Sequence, residues 1–131
     1  MEKIFFEYLN NYRNNGQNAE QSVRFALTGK IEKADNIRYD LGTDCLNYQI
    51  KSARATVCKG TNLNEYLDRD ASTAYIYATK NGTAYIMNRE TYTAFVETFG
   101  TITRESEKNG GKEKIRLGHE TEKMIEWLER N

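Results

Sequence analysis

Glu20, Asp40, Asp44, Gln49 and Lys51 have the types and spacing for phosphoryl chemistry. Hydrolysing a phosphodiester needs a divalent cation to neutralise the phosphate and deliver an activated water. Magnesium takes oxygen ligands and keeps several waters, so one or two carboxylates plus an amide oxygen suffice. Asp40 or Asp44, at a strand end, can supply the carboxylate, and Gln49 the amide oxygen. Lys51 can position the attacking water or stabilise developing charge. Glu20 can add an acid from a second direction. Each residue also has a plainer reading, with Gln49 and Lys51 on a solvent-facing strand edge and Glu20 on a solvated helix face beside Arg24.

These residues need elements to hold them. The run Asp44 to Val57, β-branched and aromatic, predicts one long strand. Alternation then puts Gln49 and Lys51 on one face and Ile50 on the other. Ile37 to Leu41 predicts a shorter strand, ended by Gly42-Thr43. Asn18, with Gln21 at the reciprocal capping position, predicts a helix through Val23, Phe25, Ala26 and Leu27 that stops at Gly29. Residues 2–14 place Ile4, Phe5, Tyr8, Leu9 and Tyr12 at helical spacing and predict an earlier amphipathic helix. Downstream, Asn62 to Arg69 predicts a short helix. Asn81-Gly82 between Ala74–Ala78 and Ala84–Met87 predicts a hairpin. Asn88 caps a helix from Arg89 to Phe99. Thr101–Arg104 and Lys114–Leu117 pair across a charged, glycine-containing turn, and a final helix runs from His119 to Arg130. The expected class is α+β, a mixed, mostly antiparallel sheet flanked by helices.

At 131 residues the chain suits a single domain. Nineteen basic and nineteen acidic residues cancel, which argues against a generally basic nucleic-acid binder and leaves room for a local cationic groove. Candidates for phosphate contact are Arg54 and Lys59 after the central strand, then Arg104, Lys108, Lys112, Lys114 and Arg116 around the late hairpin. Glu105, Glu107 and Glu113 are interleaved with them, as on a solvated hairpin. Cys45, Cys58 and the single His119 do not make a zinc site. With no leader signature and no apolar run long enough for a membrane, the expectation is a cytoplasmic protein with reduced thiols and no membrane partner. Phosphate-binding glycine loops, nucleophile elbows and metalloprotease helix motifs are absent.

The layout of helix, strand with aspartate, strand with Gln49-Ile50-Lys51-Ser52, strand, helix and strand resembles the PD-(D/E)XK nuclease superfamily. That superfamily includes restriction endonucleases, junction resolvases and phage exonucleases. The resemblance covers about residues 18–104, with the hairpin as an insertion and residues 105–131 as a C-terminal hairpin and helix. It implies a restriction-endonuclease-like core that cuts DNA with magnesium or manganese. By position, Asp44 or Asp40 and Gln49 become the metal ligands, Lys51 the catalytic lysine and Glu20 the helix acid. Proline precedes neither aspartate, and Gln49 replaces an acid with a neutral amide. The function implied is a small phage or mobile-element nuclease, with a homodimer as one way to reach both strands. The alternatives are a non-catalytic binder on the same scaffold, recognising DNA or a defence or replication protein, and a protein-interaction module with a tyrosine-built interface.

Overall fold

The computed structural model describes residues 1–10, 14–28, 41–42 and 47–131. Asp40, Asp44, Cys45, Lys30 and nearly all of the expected strand Ile37–Leu41 lie outside these residues. In chain order the elements are β1 (Glu2–Phe5), α1 (Asn15–Thr28), β2 (Leu41–Gly42), β3 (Asn47–Lys51), β4 (Thr56–Lys59), α2 (Leu63–Arg69), β5 (Ala74–Ala78) and β6 (Thr83–Met87). Then follow α3 (Arg89–Phe99), β7 (Gly100–Arg104), β8 (Glu113–Leu117) and α4 (Glu122–Arg130). The strands form two sheets, ordered β1-β6-β5-β3-β2 and β4-β8-β7. Among the described strands, β3 and β5 pair in parallel and the other pairs are antiparallel. The class is α+β with mostly antiparallel strands and flanking helices, as expected, but divided over two sheets.

Local chemistry explains the elements that were anticipated. Asn62 and Asn88 cap α2 and α3 by accepting the N–H of Glu65 at 3.0 Å and of Thr91 at 2.8 Å. The β5–β6 hairpin pairs Tyr75 with Met87 and Ile76 with Ile86, and the Thr79 N–H closes its turn on the Thr83 carbonyl. Gly82 takes a φ of +92°, and a Cβ there would meet the Phe6 carbonyl oxygen at 2.6 Å, so only glycine fits.

Four expectations are corrected. Glu2–Phe5 is not helical but pairs with β6, and the Phe6 N–H donates to the Gly82 carbonyl. The open edge of β6 satisfies a ladder of backbone groups, which outweighs a loose helical spacing; Phe5, expected inward, is 75% exposed. Residues 11–13 of that expected helix lie outside the described residues. α1 begins at Asn15, because Asn14 accepts the Gln17 N–H at 3.0 Å; Asn18 is inside the helix and its reciprocal cap with Gln21 does not form. The long strand is broken at Ser52–Ala55, so β3 stays in the larger sheet and β4 joins the smaller one. Arg54 turns the chain with a φ of 66°, its N–H donating to the Gly118 carbonyl and its own carbonyl accepting from Arg116 Nε at 2.7 Å. α4 starts not at His119 but three residues later, at Glu122, with Thr121 as its cap.

The alternation of β3, β5 and β6 separates two cores. Tyr48, Ile50, Ala74, Ile76, Ala78 and Ala84 pack with Ala19 and Val23 of α1. The opposite face carries Tyr75, Tyr77, Tyr85 and Met87 against α2, α3, α4 and the inner side of the smaller sheet.

Candidate functional site

Gln49 and Lys51 follow the alternation of β3 and so lie on the tyrosine side, away from α1. Gln49 is buried. Its Nε2 donates to the Tyr66 hydroxyl of α2 at 2.9 Å, and its Oε1 has no donor among the described residues. Lys51 is half-buried at the end of β3, and its Nζ donates to the Thr56 carbonyl at 3.1 Å. Its positive charge also reaches Cys58, whose thiol is nonetheless pushed up by burial.

The surroundings of this pair are polar. Gln49 stands opposite Tyr75 in the parallel β3–β5 ladder. Tyr75 stacks on Tyr92 of α3 with ring centroids 4.3 Å apart and planes 1° from parallel. The Tyr92 hydroxyl is fully buried and has no partner among the described residues. Asp70, just past α2, uses one carboxylate oxygen to accept from the Ser72 N–H and hydroxyl, and its carboxylate sits against the Tyr75 hydroxyl. Burial, and then the Asp70 charge, push the Tyr75 hydroxyl up to about 12. Buried acceptors without donors are costly, and an oxygen-seeking cation is one physical reason to keep them. The orphaned Gln49 Oε1 therefore fits a magnesium-type ligand; the carboxylates expected to join it, Asp40 and Asp44, lie outside the described residues.

Glu20 is not brought to this pair. It sits on α1, across the sheet, and pairs with Arg24 at 3.3 Å. Arg24, expected on a solvated face, is buried at 4% exposure, so the helix side that looked solvated carries a half-covered ion pair.

The expected phosphate contacts divide. Lys59, Lys114 and Arg116 share the outer face of the smaller sheet, Lys59 opposite Lys114 and Thr56 opposite Arg116. Glu105 lies 3.8 Å from Lys114 and partly neutralises that face. Arg104 stands opposite Glu113 in the other row, and its Nε donates to the Gly111 carbonyl. Lys112 is exposed ahead of β8. Arg54 belongs to the turn between the sheets and lines a separate cleft.

Tyr66, Asp70, Tyr75 and Tyr92 were not singled out as site residues by the sequence. Asp70 reads there as the acid after a helix, and nothing in the spacing links it to β3. Of the described tyrosines, Tyr48, Tyr75, Tyr77, Tyr85 and Tyr92 are buried, while Tyr8 and Tyr66 are half-buried. The Tyr77 and Tyr85 hydroxyls donate to Glu120 at 3.1 Å and Glu129 at 2.6 Å. No helix among the described residues is long and apolar enough to cross a membrane. The chain matches no protein-family model, no curated protein and no solved structure.

Proposed function

We propose that this chain is a small metal-dependent nuclease of the phage or mobile-element kind, hydrolysing phosphodiester bonds of DNA. The observation that carries the reading is the pair on β3: Gln49 with a buried, undonated amide oxygen, and Lys51 beside it on the same face. The order α1-β2-β3, with β2 paired to β3, supports it, since the resemblance opens with a helix and two strands of which the second carries Gln49 and Lys51. Gln49 Oε1 and a carboxylate of Asp40 or Asp44 would hold magnesium or manganese, which supplies phosphate neutralisation and an activated water. Tyr66 holds the Gln49 amide by its nitrogen and leaves the oxygen as the binding end. Lys51 keeps a positive charge fixed by a backbone carbonyl, where it can stabilise charge developing on the phosphoryl group. Lys59, Lys114 and Arg116, on one face of the smaller sheet, would contact the phosphate backbone.

The test is cleavage of plasmid, linear and branched DNA with magnesium or manganese, beside Lys51→Ala. The expected result is metal-dependent cleavage that falls by about 10²–10³ in the variant. Cleavage unaffected by the change would overturn the mechanism. A non-catalytic binder on the same scaffold, recognising DNA or a protein factor, is favoured by one observation: Lys51 and the Gln49 amide nitrogen both have protein partners. Salt-sensitive DNA binding without cleavage would select it.

A further inference from the structure

A cleft of about 540 Å³ lies at the carboxyl ends of the parallel strands β3 and β5. Crevices beyond the carboxyl ends of parallel strands are common ligand sites, because the connecting loops there can converge. Its walls come from segments distant in sequence, and the protonatable side chains among them are Arg54 of the turn after β3, Lys80 of the hairpin turn, His119 before α4 and Tyr8. Among the described residues no carboxylate lines it. Tyr8 is tied off, its hydroxyl donating to the Thr79 carbonyl and held neutral up to about 12, chiefly by burial.

Glu120 borders the cleft without lining it: it accepts from the Tyr77 hydroxyl at 3.1 Å and the Lys80 N–H at 3.2 Å, and its charge adds to burial in holding the Tyr8 hydroxyl protonated. Lys3, Arg24, Arg69, Arg89 and Lys114 each face a carboxylate. The side chains of Arg54, Lys80 and His119 enter no ion pair among the described residues. The amino end of the 14-residue α1 borders the cleft through Asn15 and Asn18, carries no acid in its first turn, and adds its positive pole. Positive groups from several segments therefore converge on a space that, among the described residues, has Glu120 at its border and no carboxylate in its lining.

We propose that this cleft binds a phosphate monoester, carried by a free nucleotide or by the end of a nucleic-acid strand. A monoester brings about 1.5–2 negative charges at neutral pH, more than the single charge of a backbone phosphate, and so matches two or three converging cations best. Lys51 and Gln49 do not line the cleft, so the proposal stands apart from the nuclease reading.

His119 is the only histidine, and its ring signals in NMR report on the cleft without ambiguity. The ligands are a deoxynucleoside monophosphate, a short DNA strand with a terminal phosphate, and the same strand with a terminal hydroxyl, all without added metal. A saturable shift of the His119 signals is expected with the first two, and binding about tenfold weaker with the third. Tighter binding of the phosphorylated strand assigns the strand end; equal or tighter binding of the mononucleotide assigns the free nucleotide. Arg54→Gly removes the guanidinium and suits the left-handed backbone, so the fold is retained while binding weakens by about tenfold or more. Lys51→Ala leaves this binding in place, which separates its failure from a failure to cleave DNA. No shift with either phosphorylated ligand, equal binding of the hydroxyl strand, or unchanged binding by Arg54→Gly would each overturn the proposal.

Discussion

The two faces of the five-stranded sheet use alternate residues of the same strands and differ in almost every chemical respect. The face under α1 is built mostly from alanines and isoleucines, Ala74, Ile76, Ala78, Ala84 and Ile50, which let a helix approach closely, with Tyr48 beside them. The other face presents Tyr75, Tyr77 and Tyr85 with Gln49 and Lys51, and each polar tip needs a partner. Glu120 and Glu129 provide partners for two tyrosines, while Gln49 Oε1 and the Tyr92 hydroxyl have none among the described residues. The first face is specified mainly by apolar packing. The other carries polar chemistry at a cost in stability, and it is the face on which the candidate site lies.

The largest effect expected from this contrast is alkaline unfolding. Burial first, then Glu129 for Tyr85 and Asp70 for Tyr75, raise both hydroxyls from 10.0 to about 12, and Tyr77 and Tyr92 are also held neutral well above the ordinary value. Between pH 10 and 12 the unfolded tyrosines have lost protons that the folded ones keep, so the unfolded state binds fewer and stability falls as pH rises. Below pH 10 the contribution is fully present. Tyrosinate absorbance and circular dichroism should therefore change together in one cooperative step. Ionisation of these tyrosines near pH 10 with the fold intact would break the comparison.

A smaller effect is expected on the dry face. Ile76 is fully buried there, and Ile76→Ala should cost about 2–5 kcal/mol in urea unfolding. A loss under about 1 kcal/mol would mean that α1 settles into the gap and that this face is less tightly packed than its alanines indicate. The smallest effect is expected from Tyr92→Phe, which keeps the stacked ring and removes a buried hydroxyl without a partner. Stability should stay level or rise by about 1 kcal/mol, measured in the same way. A loss of more than that would show that the hydroxyl has a partner.

Much of the fold was legible because it is locally encoded. Asn62, Asn88 and the Asn81-Gly82 turn act on residues a few positions away, and they stand where the spacing placed them. The strand Glu2–Phe5 was not legible, since its pairing needs the edge of β6 some eighty residues later. The break after Lys51 was hidden because Ser52–Ala55 contains neither glycine nor proline; Arg54 is held in its left-handed turn by Gly118 and Arg116 from the other end of the chain. Within the candidate site, Gln49 and Lys51 were readable from a period of two. Tyr66, Asp70 and Tyr92 were not, because they join that face only through the packing of α2 and α3.

By itself, then, the sequence determined the α+β class, the caps and turns, and the common face of Gln49 and Lys51, because these follow from backbone preference and alternation over short distances. The tertiary structure decided that one expected strand serves two sheets, that Glu20 faces Arg24 across the sheet from Gln49, and that Arg54, Lys80 and His119 meet around a cleft. Those are contacts between distant segments, fixed by the burial and hydrogen bonding of the whole chain, and no local pattern encodes them.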